Sequence, residues 1–144
     1  MPSTNYGDTF IVVADDCPVA TGMSPPRRDN QSVAERTYAM ISSHPYEFTS
    51  DDVIFGVYAE GKEIAADHRP AAREEFFAKG QACLRSSDLC KRYGWGIHAD
   101  ARGRVALYGV ETRSYKDFAA GKMTAADSGD IKVISAMRSS RKSA

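Results

Sequence analysis

The residue types best suited to chemistry lie close together, between Arg92 and Tyr108. This stretch contains two glycines and four polar side chains that could share one face of a hairpin: Gly94, Gly96, His98, Asp100, Arg104 and Tyr108. A histidine can move protons near neutral pH, and arginine and tyrosine side chains can hold an anionic or polar ligand. Glycine leaves room for a ligand beside the backbone. The stretch is therefore the first candidate for a binding or catalytic site.

Periodicity predicts that this stretch folds as a β-hairpin. Tyr93, Trp95 and Ile97 alternate with small or polar residues, as in a strand that buries one face. Asp100 can open a type I turn, and Gly103 can close it in the left-handed conformation. The expected cross-strand pairs are Gly96 with Tyr108, Ile97 with Leu107, His98 with Ala106, Ala99 with Val105 and Asp100 with Arg104.

In this register the hairpin has an apolar face and a polar face, and two interpretations of the polar face stay open. Trp95 points into the core, whereas His98 points the opposite way. The polar face is either solvated, with a cross-strand ion pair between Asp100 and Arg104, or it is a ligand site. In the second case the glycines make room for the ligand, and His98, Arg104 and Tyr108 supply its polar contacts.

The composition is that of an ordinary globular protein. The 144 residues, 42% of them hydrophobic and 26% charged, suffice for one domain that folds without a disulfide or a metal. The apolar run at 10–14 is too short for a signal peptide or a membrane helix, so we expect a cytoplasmic protein without a membrane partner. Cys17, Cys83 and Cys90 are odd in number and form no Cys-x-x-Cys pair, so neither a disulfide scaffold nor a thiolate zinc site is expected.

The charge is unevenly distributed along the chain. Residues 1–72 hold 5 Lys or Arg against 11 Asp or Glu, a net charge of −6, whereas residues 73–144 hold 14 against 8, a net charge of +6. Two such halves can neutralise each other within one domain, so no nucleic-acid partner is required. The residues at 138–144 form a basic tail, which is usually disordered and only sometimes a phosphate contact.

Patterns along the rest of the chain predict an α+β fold. Expected strands are 9–14 and 131–137, and expected helices are 32–43, 70–80 and 114–120, while 49–61 reads as a helix with a strand over 53–58 as the alternative. The predicted architecture is a single α+β domain over 1–137. It has a small antiparallel or mixed sheet around the hairpin at 93–109, packed by three to four helices.

Two further residues are candidates for a ligand site. Arg27 lies in the long loop 19–30, where it can meet an anion or simply be solvated. His44 ends the helix at 32–43 and precedes Pro45. It is either a helix-end residue, favourable when charged near the helix carboxyl terminus, or a site residue.

The chain resembles an uncharacterised family of small bacterial and fungal proteins, a domain of unknown function. The similarity rests on four segments: His44-Pro45-Tyr46, Arg92 to His98, Ala106 to Gly109 and Ala136 to Arg141. The resemblance implies no activity, cofactor or catalytic residue. The stretch from Met123 to Gly129 does not belong to the family pattern, which leaves the register of the last strand open. Over Gly94 to Leu107 the chain is also similar to the amino-terminal domain of the competence regulator TfoX, which implies an α+β hairpin architecture.

These observations support three functional hypotheses. The first is a non-catalytic binding module for a small anionic or polar ligand or for a protein partner, with no cofactor. The second is an enzyme that uses His98 as general acid or base, although Asp100 lies about 7 Å along the strand from it. The third is weak nucleic-acid association through the basic second half and tail. A homodimer formed through an exposed sheet edge is compatible with each of them.

Overall fold

The protein is represented by a computed structural model that describes residues 3–27, 29, 31–121 and 131–138. Its strands are β1 (Thr9–Val12), β2 (Trp95–Ala99), β3 (Val105–Gly109) and β4 (Lys132–Ser135). They form one mixed sheet in the order β3-β2-β1-β4, in which β1 is antiparallel to β2 and parallel to β4. The predicted α+β fold is thereby confirmed, and β1 is an interior strand of the sheet.

The hairpin adopts the predicted register. Gly96 lies opposite Tyr108 and His98 opposite Ala106. Gly103 has a φ of 82°, and the Oδ1 atom of Asp100 accepts the backbone N–H of Arg104 at 2.9 Å. The register of the hairpin could be predicted from the sequence, because it depends only on the alternation of apolar residues along the two strands and on the residues of the turn.

Five α-helices are found in the described part of the chain: α1 (Val33–Ser43), α2 (Ser50–Gly61), α3 (Arg69–Ala78), α4 (Asp88–Lys91) and α5 (Arg113–Ala119). Single 3-10 turns at Ala66–His68 and Leu84–Ser86 precede α3 and α4. The Ser32 side chain caps α1 by accepting the N–H of Glu35. Thr49 and Asp52 form a capping box on α2, so the strand alternative for 53–58 is wrong. The number of helices exceeds the expected three to four because α4 is only four residues long, too short for a helical pattern of apolar residues to be recognised in the sequence.

The two sides of the sheet are covered by different helices. On one side α1, α2 and α4 bury a core that includes Ile11, Ile97 and Val105. On the other side α5 packs Phe118 against Phe10 of β1. The expectation of a solvated polar face is therefore wrong, because α5 lies over it. No helix in the described ranges combines the length and the apolar character that a membrane crossing needs.

Chain segments outside the ladder contact both edge strands. Beside β3, Tyr46 donates its backbone N–H to Val105, whose own N–H bonds the carbonyl of Phe48. Beside β4, the Arg85 side chain donates to the carbonyl of Ser135 at 2.7 Å. The expected strand at 131–137 is found, but Met123 to Gly129 and most of the basic tail lie outside the described residues.

Candidate functional site

The sheet face predicted as a site holds a buried cluster of rings. His98 is only 3% exposed and stacks on Phe118, with ring centroids 4.3 Å apart. Its Nδ1 lies 2.8 Å from the hydroxyl of Tyr46, which in turn lies 2.7 Å from the hydroxyl of Tyr108. The structure thus brings together His98 and Tyr108 and links them through Tyr46, a residue without a site signal in the sequence beyond its place in the His-Pro-Tyr segment.

Tyr46 reaches this cluster from an unusual backbone conformation. Its φ is +59°, in the left-handed region that bulky residues rarely adopt. Its backbone N–H bonds the carbonyl of Val105, and its hydroxyl sits between His98 and Tyr108. Such a conformation persists when several contacts determine it together. The segment after α1 is therefore fastened to the sheet at this residue.

Atoms of the protein itself occupy the space beside Gly94 and Gly96, the two glycines proposed as ligand contacts. A Cβ atom on Gly96 would lie 2.5 Å from a ring atom of Phe10 and 2.6 Å from one of Tyr115. A Cβ atom on Gly94, which has a φ of 78°, would lie 2.4 Å from the carbonyl oxygen of Thr21. These glycines allow close packing of aromatic rings and of the loop at 19–30, and protein atoms occupy the space that a ligand would need.

The two remaining arginine candidates lie away from the ring cluster. Arg104 sits at the turn end of the hairpin, with its Nε 3.4 Å from Asp100. Arg27 is exposed on the loop before α1. His98 itself is enclosed by Phe118 and Tyr46, which leaves the imidazole without access to a substrate in this arrangement. The geometry therefore gives no support to proton transfer by His98.

A cleft between α1, α2 and α3 is open to solvent instead. Two adjoining cavities of about 290 and 710 Å³ share Met40, Phe48, Gly56 and Arg69 in their walls. A Cβ atom on Gly56 would lie 2.7 Å from Met40, so this glycine lets the Met40 side chain cross α2 closely. Of the residues proposed from the sequence, His44 lines the smaller cavity.

Charged groups surround this cleft, and most of them are paired. Two ion pairs join Arg36 to Glu60 and Arg73 to Asp52, each at 2.9 Å, and a hydrogen bond of 2.6 Å joins Nδ1 of His44 to the carboxylate of Glu47. Burial raises the pKa of Asp52, but the hydrogen bond from the Thr49 N–H and the Arg73 guanidinium outweigh it, and the pKa lies below its ordinary value. The carboxylate of Asp52 is thus held in its charged form.

Arg69 differs from the other two arginines of the cleft. Its Nε donates to the carbonyl of Ile64 at 3.0 Å, and within the described residues it forms no ion pair with a carboxylate. One hydrogen bond to the backbone holds the guanidinium group at Nε, and Arg69 lines both cavities. Arg69 is the residue of the cleft best placed to receive an anionic group.

Aromatic and thioether groups supply the apolar wall of the cleft. Phe48 lies edge-on to His44, with ring centroids 5.2 Å apart, and Met40 and Phe55 complete the wall. Sequence reasoning missed this site because its residues are spread over three helices that only the tertiary fold brings together. Besides His44, the sequence offers Gly56 as a signal, because a glycine inside a helix costs about 1 kcal/mol relative to alanine.

The cysteines form no comparable site. Cys17, Cys83 and Cys90 are all free, and burial raises the pKa of the Cys90 thiol. The hydroxyl of Tyr6 donates to the sulfur of Cys83 at 3.0 Å, and burial first, then this contact, raises the pKa of Tyr6 to about 12. Within the described ranges no group of three potential ligands is arranged to hold a metal ion.

Comparison with known proteins gives one match. The model of a family described as "Family of unknown function (DUF6157)" matches residues 1–142. No curated protein and no solved structure matches the chain, so the similarity to the TfoX amino-terminal domain stays a prediction. Because the match spans nearly the whole chain, the protein belongs to this family of unknown function.

Proposed function

We propose that the protein is a non-catalytic binding module, and that the cleft between α1, α2 and α3 holds a small ligand with one anionic group. The observation that carries the proposal is the position of Arg69 at the junction of the two cavities, with no carboxylate paired to it in the described part of the chain. An arginine held this way presents a planar fork that fits a carboxylate through two parallel hydrogen bonds.

The neighbouring charges favour a ligand with one negative charge. Arg36 and Arg73 already contact acids, which leaves the charge of Arg69 as the one to be neutralised. Glu47, Asp52 and Glu60 at the rim would repel a dianion such as a phosphate monoester. A monocarboxylate therefore suits the cleft better than a phosphate.

The apolar wall determines the rest of the ligand. Met40, Phe48 and Phe55 offer surfaces on which a flat or branched apolar body can lie. Ligand sites in proteins combine such surfaces with a few polar groups, in cavities of about 300–1,000 Å³. The ligand class is accordingly an aromatic or branched aliphatic monocarboxylate.

Titration calorimetry with a panel of benzoate, phenylacetate, 3-phenylpropionate and indole-3-acetate tests this proposal. Concentrations up to about 10 mM are needed, because ligands of this size gain limited affinity. At least one acid should bind saturably, whereas its neutral amide should bind at least about tenfold more weakly, since it lacks the charge-assisted hydrogen bonds.

Variants of Arg69 connect that binding to the proposed residue. Arg69→Gln should weaken the acid by about tenfold or more, and Arg69→Lys should fall between, because lysine keeps the charge but not the fork. Arg113→Gln, on an exposed arginine of α5, is the matched control and should leave the affinity unchanged. Equal binding of acid and amide, an unchanged affinity in Arg69→Gln, or no binding by any acid of the panel would overturn the proposal.

A further inference from the structure

A second surface on the same helices has the dimensions of a peptide groove. Three adjoining cavities of about 520, 250 and 440 Å³ meet at Gln81, which lines all three. They run between the start of α1, the outer face of α2, and α3. The apolar side chains along this groove are Val33, Ile54, Val57, Tyr58, Ile64 and Phe76.

Two of these apolar side chains are exposed to solvent, and neither of them belongs to the buried core. Val33 is 72% exposed and Tyr58 is 39% exposed. Val33 is the first residue of α1, and its exposure places an aliphatic side chain at the edge of the groove. Exposed aliphatic and aromatic side chains that border a continuous apolar groove are typical of an interaction surface.

The rim of the groove is positively charged. Lys62 and Lys79 are exposed, lie at the carboxyl ends of α2 and α3, and form no ion pair with any described residue. Glu75 is the one acid among the described residues that line these cavities. Two lysines against one glutamate favour a partner that carries negative charge.

We propose that this groove docks an acidic amphipathic peptide segment of a partner protein. Apolar side chains of the segment, spaced along one helical face, fill the three cavities in series, and flanking Glu or Asp residues face Lys62 and Lys79. The chain's own tail at 138–144 has the same charge sign as the rim, so it does not offer the complement. This inference does not depend on the Arg69 cleft, because it involves other side chains and a different class of ligand.

Amide chemical-shift mapping of the full 144-residue chain with three synthetic peptides tests the inference. The first peptide, about 15 residues long so that it can form a helix, carries Leu on one helical face and Glu on the other. The second carries Lys in place of Glu, and the third carries Ser in place of Leu. The first should bind saturably and shift amides of the groove, and the other two should bind at least about tenfold more weakly.

Two variants and a control assign the binding to the groove. Val33→Asp places a charge on the exposed lip, at the first turn of α1 where an acid favours the helix, so the fold is retained and the acidic peptide should lose about tenfold or more in affinity. Lys62→Glu with Lys79→Glu should reverse the preference toward the Lys peptide. Arg113→Asp changes the equivalent first residue of α5, after its cap Thr112, and should change nothing.

Each other result overturns the inference. If the Leu-Glu peptide shows no saturable shift, the groove is not a peptide site of this chemistry. If the Ser peptide binds as well as the Leu-Glu peptide, apolar side chains do not contribute to the binding. If the Lys peptide binds as well, the lysines of the rim do not select for negative charge. If light scattering shows a dimer that Val33→Asp dissociates, the groove is occupied by a second copy of the chain instead of a peptide.

Discussion

The sheet face beneath α5 and the cleft between α1, α2 and α3 both combine aromatic rings with cationic or protonatable groups, yet only the cleft is open to solvent. On the sheet face, His98 is enclosed by Phe118 and Tyr46. In the cleft, Arg69 is anchored at Nε and borders two cavities. The difference teaches that residue type alone does not mark a site here, because the covering element decides which polar groups a ligand can reach.

The two regions are joined by the short segment after α1. Tyr46 is directed into the buried cluster, whereas His44 and Phe48, two residues away on either side, line the cleft. Residues two apart in an extended segment would point the same way, so this difference in direction follows from the left-handed conformation of Tyr46, whose φ is +59°. The segment 44–48 thus contributes Tyr46 to the buried ring cluster and His44 and Phe48 to the wall of the open cleft. Substitutions at these positions can therefore test the packing of the cluster and the binding in the cleft separately.

The largest expected effect is on the covered side. Phe118→Ala removes a ring that is 2% exposed and contacts Phe10, His98 and Tyr108. We expect a loss of about 3–5 kcal/mol in the free energy of unfolding, as for other buried phenylalanines. Urea denaturation measures it. Phe48→Ala, on the partly buried ring of the cleft, should cost clearly less, and equal losses would contradict the distinction between the two regions.

The second prediction concerns the glycine at the centre of the hairpin. Gly96→Ala forces a methyl group against Phe10 and Tyr115, so we expect a loss of about 1–3 kcal/mol from overpacking. The control is Gly61→Ala, where a Cβ meets nothing within 4 Å and stability should stay equal or rise slightly. If Gly96→Ala left the melting temperature unchanged, there would be free space beside Gly96, and the conclusion that protein atoms fill it would be wrong.

The hydroxyl of Tyr46 gives a third test. Tyr46→Phe deprives both His98 and Tyr108 of a hydrogen-bond partner in a largely buried setting, at a cost of about 1–3 kcal/mol. Tyr58→Phe, at an exposed tyrosine, serves as the control and should be close to neutral. Ligand affinity in the cleft should be unchanged by Tyr46→Phe when it is measured well below the unfolding transition of both proteins. A loss of affinity without loss of stability would show that the two regions are coupled.

A fourth, smaller effect depends on pH. Asp52→Asn weakens the capping box and the contact with Arg73, and should cost about 0.5–1 kcal/mol at neutral pH, because both groups are partly solvated. The pKa of Asp52 is lowered in the folded state. Its stabilisation is therefore present above the unfolded-state value of about 3.9 and is lost as the pH falls through the folded-state pKa.

Denaturation curves of wild type and Asp52→Asn from neutral to acidic pH check this sign. The two proteins should differ at neutral pH and converge at low pH. Asp67→Asn, at an exposed acid beside His68, should differ little from wild type at any pH. A gap between wild type and Asp52→Asn that widened on acidification would contradict the assigned shift.

Local patterns determined much of the fold in advance. The hairpin register, the cap at Ser32 and the capping box at Thr49 depend on residues within a few positions of one another, so the sequence shows them directly. The placement of α5 over His98 depends on contacts between Phe118 and Phe10, more than a hundred residues apart, and no spacing rule predicts them. The same limit hid the cleft, whose walls come from three helices and from a turn that carries Phe48.

Amide chemical-shift mapping with the tightest-binding aromatic monocarboxylate tests most directly whether ligands reach the cleft and not the hairpin. We predict saturable shifts at Met40, Phe48, Gly56 and Arg69, with the amides of Gly96 and His98 left in place. Shifts centred on Gly96 and His98, with the cleft amides unmoved, would contradict the account, because a ligand would then have displaced α5 from the sheet.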